Sequence, residues 1–303
     1  MNGHSSNCHL KDSQILVDIN RINDHAQQYE AHKSQLGVLK ECQRDIYRVL
    51  KTIDLKAAGE YKFISKVACY VMAENIDDIN HGMLQSLEIN CYSAVESLAR
   101  VSIENSINLM YVIKDRDSLK PRSLIKSYLT SSSKRAVNWL NYAKTINDAK
   151  YLERAKIFFD HMENISGVFK DVNNSDVFPH WPDARSRFRS VGLEAFYHIL
   201  FAPTSDSIHG FSEDIFNSLL IDLSPNEIDV KYALLKAQKA EKLSLAYYLT
   251  TNAVLFFCDA AHRICCRSEC EAEAAELAKI AIKLNGVIAV HESLMDRYYE
   301  DRV

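Results

Sequence analysis

Glycine and proline are scarce in this chain, which has 8 glycines and 5 prolines in 303 residues. A β-sheet needs frequent chain reversals, and those reversals rely on Gly, Pro and Asn at special backbone angles. The scarcity argues against a β-sandwich or an open α/β sheet and favours long helices joined by few loops. We therefore expect an all-α fold, a multi-helix bundle with a long helical hairpin at its C-terminal end.

A large excess of positive charge is also lacking, since the net charge is −4 and the sequence pI is about 6.3. A generic surface for polyanions is therefore not indicated, although a local basic patch stays open. The commonest catalytic signatures are absent from the sequence as well: GxGxxG, the Walker-type GxxxxGK[ST], HExxH and GxSxG. Any catalysis must rest on scattered side chains of packed helices.

Targeting and membrane signals are missing from the sequence. The first 20 residues lack a basic segment followed by an apolar one. The most apolar stretch, Leu243–Cys258, is shorter than the roughly 20 residues of a membrane span and contains Thr250, Thr251 and Asn252. We predict that it is a buried core helix and that no membrane is a partner. With no leader, the 8 cysteines indicate free thiols and a cytoplasmic location.

Hydrophobic periodicity and breakers divide the chain into helices. The pattern predicts a loop at Asp171–Asp183 and a turn at Thr204–Gly210. It also predicts a weak point at Asn285 and Gly286 within the last helix. The predicted helices are Lys11–Asp54, Ala58–Asn80 with a stop at His81 and Gly82, Met83–Lys114, Pro121 to about Tyr142, a following one through Lys170, Ala184–Phe201, Ser224–Arg267 and Glu269–Tyr299.

Three parts of the chain are expected within one continuous globular unit. Residues 1–81 form N-terminal helices, residues 82–222 form a central bundle with the candidate site, and residues 223–303 form the C-terminal hairpin. The hairpin is expected to be antiparallel and to pack on the rest.

Four polar residues form a ladder in the helix after Gly82: Glu96, Arg100, Glu104 and Asn108. Each lies four positions after the one before, so all four share one helix face. A solvated stripe of weak Glu–Arg pairs is one interpretation. The other places Arg100 and Glu104 in a cleft between helices, where they form a structural lock or a binding site.

A second candidate lies past the proline-containing loop and consists of Tyr197, Ser205 and His209. A histidine beside a helix break, preceded by hydroxyls and a carboxylate, can be oriented as an acid or a base. It can equally be a loop histidine that caps a helix end.

These two candidates carry a family resemblance, in the runs Ser97–Asp115 and Trp181–Gly210. They resemble a large bacterial family of all-helical proteins of unknown function. Its pattern is an Arg-x-x-x-Glu helix followed, much later, by Trp, then Tyr, then Ser and His. Here these positions are Arg100, Glu104, Trp181, Tyr197, Ser205 and His209.

The resemblance implies a helical bundle similar to the HEPN superfamily, whose members are frequent in toxins and antiviral defence. It implies that Arg100, Glu104 and His209 meet in one cleft as catalytic residues, with Asn108, Tyr197 and Ser205 as binding residues. It leads us to expect a defence or toxin-type effector acting on RNA as a metal-independent endoribonuclease, with no cofactor. The alternative is a non-catalytic interaction or scaffold protein in which the polar cluster is structural.

HEPN ribonucleases carry Arg-x(4–6)-His, and this chain has one formal match, Arg154 with His161. The composition alone produces one or two such matches by chance. The residue after Arg154 is Ala155, where active members of the superfamily tend to be polar. We therefore expect this pair not to be catalytic.

The cysteine-rich run Cys258, His262, Cys265, Cys266 and Cys270 suggests zinc. Along one helix, Cys258 and Cys270 lie about 18 Å apart, whereas ligands of one zinc ion are under about 4 Å from one another. We expect reduced thiols packed in the helical hairpin and no metal. The pairs that i, i+4 spacing allows are Cys258 with His262 and His262 with Cys266.

A local basic patch is offered by Arg185, Arg187 and Arg189, with Arg122, Lys126, Lys134 and Arg135 on another helix. Such clusters can bind phosphates, and a solvated helix face is the alternative. We take Arg185 and Arg189 as candidate RNA-binding residues, because His209 follows in the same part of the chain. Three aromatic pairs mark either core or a homodimer seam: Tyr247 and Tyr248, Phe256 and Phe257, and Tyr298 and Tyr299.

Overall fold

A computed structural model describes residues 19–53, 63–115, 117–146, 148–173, 175–204, 212–223 and 227–300. Every regular element in these ranges is helical, which confirms the all-α prediction. The elements are α1 Ile19–Glu30, a 3₁₀ turn Ala31–Gln35, α2 Leu36–Thr52, α3 Phe63–Glu88, α4 Tyr92–Ile113, α5 Leu119–Ile146, α6 Ala149–Val168, α7 Lys170–Asn173, α8 Ala184–Ser190, α9 Glu194–Phe196, a π-helix Tyr197–Phe201, α10 Ser212–Leu223, α11 Ile228–Arg267 and α12 Glu271–Glu300.

The C-terminal hairpin has the predicted elements. Helix α11 begins at Ile228 and ends at Arg267, and α12 packs against it. The expected weak point at Asn285 and Gly286 is wrong, because α12 is continuous there. An added Cβ on Gly286 would meet nothing within 4 Å, so this glycine costs backbone entropy without breaking the helix.

The predicted stop at His81 and Gly82 is wrong, and α3 continues to Glu88. The break comes at Asn90, which has φ 60°, within the expected helix Met83–Lys114. Its neighbour Cys91 donates a backbone hydrogen bond to the Ser86 carbonyl at 2.8 Å, as in a Schellman motif. Asparagine here takes the left-handed position that glycine more often fills, so no glycine marks this helix end in the sequence.

Helix α11 is the central element and packs against α1, α2, α4 and α12. Its apolar stretch is mostly buried, as predicted, and three polar residues inside it bond to their own helix. Thr250, Thr251 and Asn252 donate to the carbonyls four residues earlier at 2.8, 2.8 and 2.9 Å. Burial therefore leaves these side-chain donors satisfied. In the chain segments that the structure covers, no helix has the length and apolarity to cross a membrane.

One cluster of buried side chains draws on all three predicted parts of the chain, with Leu39, Ile103 and Phe257 each at 1 % exposure or less. The aromatic residues Tyr247, Phe256 and Phe257 belong to this cluster. They are core residues, as the packing interpretation expected, and the homodimer seam cannot include them because they are buried within the chain.

The junction between α4 and α5 is fixed from both sides. Arg267, at the end of α11, donates to the carbonyls of Ile113 and Asp115. The Asp115 carboxylate accepts from the backbone N–H of Lys120 at 2.6 Å, at the start of α5. The last carbonyls of α4 and a first donor of α5 are thereby satisfied.

The loop before α8 is tied to α5. Lys126 Nζ donates to the carbonyls of Ser175 and Phe178 at 2.9 and 3.1 Å, and Ser123 Oγ donates to Pro179 at 2.6 Å. The loop prediction at Asp171–Asp183 is correct from Ser175 onward, whereas its first residues form α7.

The expected single helix Ala184–Phe201 is interrupted. Asp183 caps α8 by accepting from Ser186 N–H at 2.7 Å, as an N-cap aspartate does. Gly192, with φ 83°, then ends α8, and Leu193 N–H donates to the Phe188 carbonyl at 2.9 Å. After this turn, α9 leads into the π-helix, and helical structure continues to Thr204. The turn is what brings α8 and the π-helix against the same side of α4.

Candidate functional site

The polar ladder of α4 faces α8 and the π-helix. Arg100, Glu104 and Asn108 are half-buried there, and Glu96 is buried at 6 % exposure. Their i, i+4 spacing puts all four on one helix face. The ladder thus lies in a cleft between helices and not on a fully solvated face.

Glu104 pairs with Arg187 of α8 and not with Arg100 of its own helix. Arg187 Nη2 donates to Glu104 Oε1 at 2.7 Å, and Arg187 Nη1 donates to the Pro182 carbonyl at 2.8 Å. Burial lowers the pKa of Arg187, and the Glu104 carboxylate opposes that effect. The Arg187 side chain is only 7 % exposed, whereas water reaches the Glu104 carboxylate, so the pair links α4 to α8 through a buried arginine.

Arg100 lies over the Phe201 ring, with its guanidinium carbon 4.4 Å from the ring centroid. Its Nε is buried, and no atom of the described residues accepts a hydrogen bond from it. Asn108 Oδ1 and Arg187 Nε are in the same condition. Buried polar atoms are nearly always paired, so these three unpaired atoms, two on the ladder and one on α8, call for an additional partner such as water or a ligand.

Aromatic rings line the cleft. Trp181 packs edge-on against Tyr111 at 5.2 Å, and the Arg187 guanidinium lies 5.5 Å from the Trp181 ring. On the other side, Tyr197 contacts Phe188 at 5.8 Å and Phe201 at 5.6 Å. Tyr197 also begins the π-helix, a form of helix that is frequent at functional sites.

The exposed arginines of α8 lie on its other face. Arg185 and Arg189 both bind Glu194, with the shortest distances 2.8 and 2.7 Å. Hydrogen bonds from Arg189 and Arg185 lower the pKa of Glu194, which keeps its negative charge beside them. Glu194 therefore offsets part of the positive charge that the sequence places here.

The basic residues of α5 have local partners. Lys126 binds two loop carbonyls, and the Arg122 guanidinium lies 5.4 Å from the Phe178 ring. Arg135 Nη2 donates to Ser132 Oγ at 2.8 Å. The contacts of Lys126 and Arg122 hold the loop that carries Trp181, so these two residues have a structural role whatever else they bind.

Two of the predicted site residues, Ser205 and His209, lie outside the described residues. The structure places Arg100, Glu104 and Asn108 on one face of α4 and Tyr197 in the π-helix that packs against α4, and it gives no distance to the histidine. Arg154 and His161, the formal HEPN-type match, are exposed on α6, whereas Ala155 between them is buried.

The cysteines of the hairpin are mostly packed thiols. Cys258 is fully buried, its Sγ donates to the Leu277 carbonyl at 3.3 Å, and burial raises its pKa to about 12. Cys266 is exposed and lies 3.7 Å from the nitrogens of His262. Within the ranges the structure describes, no three His, Cys, Asp or Glu residues are grouped as metal ligands would be.

Sequence reasoning missed Arg187 as the partner of Glu104 and grouped it with the exposed arginines. The signal was its position two residues from both Arg185 and Arg189. Two residues turn a helix by about 200°, so Arg187 must face the opposite side, next to the buried Phe188.

Comparison with known families adds one finding. Residues 78–228 match the model of DUF5677, a family of unknown function. The match begins within α3 and ends at the start of α11, so it includes the ladder, Trp181, Arg187 and Tyr197. No curated protein and no solved structure matches the chain. The match to an uncharacterised family agrees with the coarser part of the resemblance and assigns no activity.

Proposed function

We propose that this protein is a defence or toxin-type effector that cleaves RNA without a metal ion, and that the ladder of α4 holds the scissile phosphate. The observation that carries the proposal is the environment of the Arg100 guanidinium. This guanidinium is half-buried, contacts the face of Phe201, and leaves Nε without an acceptor among the described residues. An arginine fixed on a ring with free donor positions is suited to a phosphate oxygen.

The surroundings of Arg100 support the same ligand. Asn108 Oδ1 is a buried acceptor without a donor, two turns along the same face, and can receive a ribose hydroxyl. Tyr197 and Trp181 supply ring surfaces in the cleft walls, and unpaired bases stack on such rings. Phosphate, hydroxyl and base contacts are the three kinds of interaction that single-stranded RNA offers.

The proposed reaction is an internal transesterification. His209 takes the proton of the ribose 2′-OH, and the 2′-oxygen attacks the adjacent phosphorus. A new O2′–P bond forms as the P–O5′ bond breaks, which gives a 2′,3′-cyclic phosphate and a 5′-oxygen that takes a proton from water. Arg100 stabilises the negative charge that develops on the non-bridging oxygens. This reaction requires no oxidant, metal or cofactor.

A non-catalytic interaction or scaffold protein is the second candidate function, and the Glu104–Arg187 pair favours it. A pair whose arginine is buried and makes a second hydrogen bond to the Pro182 carbonyl has the features of a lock between helices. The two functions differ at Arg100. A lock needs no group at its free Nε, whereas a nuclease needs a phosphate there.

Expression in a bacterial host tests the proposal. We expect the wild-type chain to arrest growth and to generate RNA fragments with 2′,3′-cyclic phosphate ends. The variant His209→Ala should lose both effects, because a missing general base costs about 10²- to 10⁴-fold in rate. Arg154→Ala is the matched control, since Arg154 is exposed on α6, and it should remain active. Full activity of His209→Ala, or no fragments from wild type, would reject the mechanism.

A further inference from the structure

Helix α10 exposes large apolar side chains along most of its length. Scattered exposed apolar residues are ordinary, but a contiguous patch on a helix marks a surface that another molecule covers. The exposed residues are Ile215 at 56 %, Phe216 at 59 %, Leu219 at 51 %, Leu220 at 52 % and Leu223 at 80 %.

An ordinary surface helix buries its apolar face, whereas α10 exposes most of its apolar residues. At 3.6 residues per turn, its five exposed apolar residues lie within an arc of about 140°. The half-buried residues are Asn217, Ser218 and Ile221, and they lie on the opposite arc. Helix α10 packs against α11. Most of its apolar surface therefore faces away from the core, where it contributes nothing to packing within the chain.

The first turns of α11 expose two further apolar residues close to the end of α10. Lys231 Nζ donates to the Asp222 carbonyl at 2.7 Å, which holds the start of α11 beside the end of α10. Ile228 and Tyr232 are 84 and 74 % exposed. With the five residues of α10 they present on the order of 800 Å² of apolar surface, the area that each partner of a standard interface buries. We call these seven residues the α10 surface.

The charged residues of α10 indicate what kind of partner it can bind. Helix α10 carries Glu213, Asp214 and Asp222 and no lysine or arginine. By helical geometry, Asp222 gives the apolar stripe an acidic rim. Anionic lipid and nucleic acid are repelled by such a rim, and an antiparallel second copy would bring acidic ends together. A helix with an apolar stripe and basic flanks complements both features.

We propose that the α10 surface binds an amphipathic helix of another protein whose apolar stripe is flanked by lysine or arginine. This surface is separate from the ladder of α4, and the proposal does not depend on the ribonuclease function. The partner helix covers the apolar stripe, and its cations meet the acidic charge of α10, which includes the exposed Asp222.

A synthetic peptide tests the proposal with the full chain. The probe is an 18-residue helix with leucine on one face and lysine beside it, and the control peptide has glutamate in place of lysine. Fluorescence anisotropy of each labelled peptide measures its affinity. We expect the basic peptide to bind at least about tenfold more tightly than the acidic one, because like charges at an interface repel.

Variants of the chain connect that binding to α10. Leu219→Asp combined with Leu220→Asp should weaken the basic peptide at least about tenfold, since both leucines are central to the stripe. Glu213→Lys combined with Asp222→Lys should reverse the peptide preference. Ile157→Asp is the matched control, because Ile157 is a 63 % exposed apolar residue on α6. Ile157, Leu219, Leu220 and Asp222 are exposed, and circular dichroism should show an unchanged fold for every variant.

Several outcomes would overturn the proposal. One is no binding of the basic peptide by wild type, and another is binding that neither double variant changes. A dimer in analytical ultracentrifugation that Leu219→Asp with Leu220→Asp dissociates would assign the surface to a second copy. Binding to phosphatidylserine vesicles that the same variant abolishes would assign it to a membrane.

Discussion

Arg187 Nη2 lies 2.7 Å from Glu104 Oε1, although the two residues are 83 positions apart in the sequence. This hydrogen bond joins α8 to the middle of α4, and it sets the position of Trp181, whose ring lies 5.5 Å from the same guanidinium. The Arg187 side chain is 7 % exposed, whereas that of Glu104 is 33 % exposed. The two partners therefore differ in what is left behind when one is removed.

Glu104→Ala should destabilise the fold more than Arg187→Ala. Removal of Glu104 leaves a buried guanidinium without its carboxylate, which costs about 3 kcal/mol. Removal of Arg187 leaves a carboxylate that water reaches, so we expect about half that loss. Urea denaturation measures both. Glu153→Ala, on the exposed side of α6, is the control and should be close to neutral. A Glu104→Ala variant as stable as wild type would show that the pair is not a lock.

A buried polar chain joins α2, α3 and α4. Gln43 Nε2 donates to Asp77 Oδ1 at 2.8 Å, Asn80 Nδ2 donates to Gln43 Oε1 at 2.9 Å, and Ser102 Oγ donates to Asn80 Oδ1 at 2.5 Å. Asn80 is 0 % exposed, and its side-chain amide joins α3 to both neighbouring helices, because it donates to Gln43 of α2 and accepts from Ser102 of α4.

Asn80→Ala should therefore leave the Gln43 carbonyl and the Ser102 hydroxyl unpaired at once. Each unsatisfied buried group costs about 1–3 kcal/mol, so we expect a loss of about 3 kcal/mol in the free energy of unfolding. Asn141→Ala, at an exposed position of α5, serves as the control. Equal midpoints in urea for the two variants would contradict a structural role for this chain of hydrogen bonds.

Two buried histidines, one after α1 and one in α12, contact each other with their rings tilted by 42°. The rings of His32 and His291 lie 3.8 Å apart, and their exposures are 2 and 3 %. His32 Nδ1 contacts Ser244 Oγ at 2.9 Å, and His291 Nε2 contacts Gln35 Oε1 at 2.8 Å. Burial lowers the pKa of both groups from 6.5, and burial beside His32 lowers that of His291 to about 3.

This pair should make the fold sensitive to acid. Below pH 6.5 the imidazoles are protonated in the unfolded chain but stay neutral in the folded one. The free energy of unfolding therefore decreases as the pH falls from 6.5 towards about 3, the pKa of folded His291. Between pH 7 and pH 5 one excluded imidazole costs about 2 kcal/mol. His291→Gln should lose less stability than wild type over that interval, as measured by urea denaturation at each pH. Parallel losses in the two proteins would exclude the histidines as the cause.

The fold was predictable where composition and breakers agree. The scarcity of Gly and Pro gave the helical class, and the break before Ile228 and the end at Arg267 were located within a few residues. The sequence misled where a helix ends without glycine or continues through one. Asn90 ends α3 in a left-handed conformation. Gly82 lies inside the same helix, where an added Cβ would have only Leu98 Cδ1 within 4 Å, at 3.9 Å.

The candidate site was only partly predictable. The i, i+4 spacing of Arg100, Glu104 and Asn108 is a local property and puts them on one face in any helix. The partner of Glu104 depends on how α8 turns at Gly192 and packs on α4, which is a tertiary property. Local periodicity could still have separated Arg187 from its exposed neighbours, since it shares the buried face with Phe188.

The central claim is that Arg100 holds the phosphate of an RNA substrate. Its most direct test is cleavage of end-labelled RNA by the purified chain in EDTA, with DNA of the same sequence as control. We expect wild type to cleave the RNA and leave the DNA intact, because DNA lacks the attacking 2′-hydroxyl. Arg100→Ala, folded by circular dichroism, should be slower by about 100-fold or more. RNA left intact by wild type, or cut equally fast by Arg100→Ala, would contradict the claim.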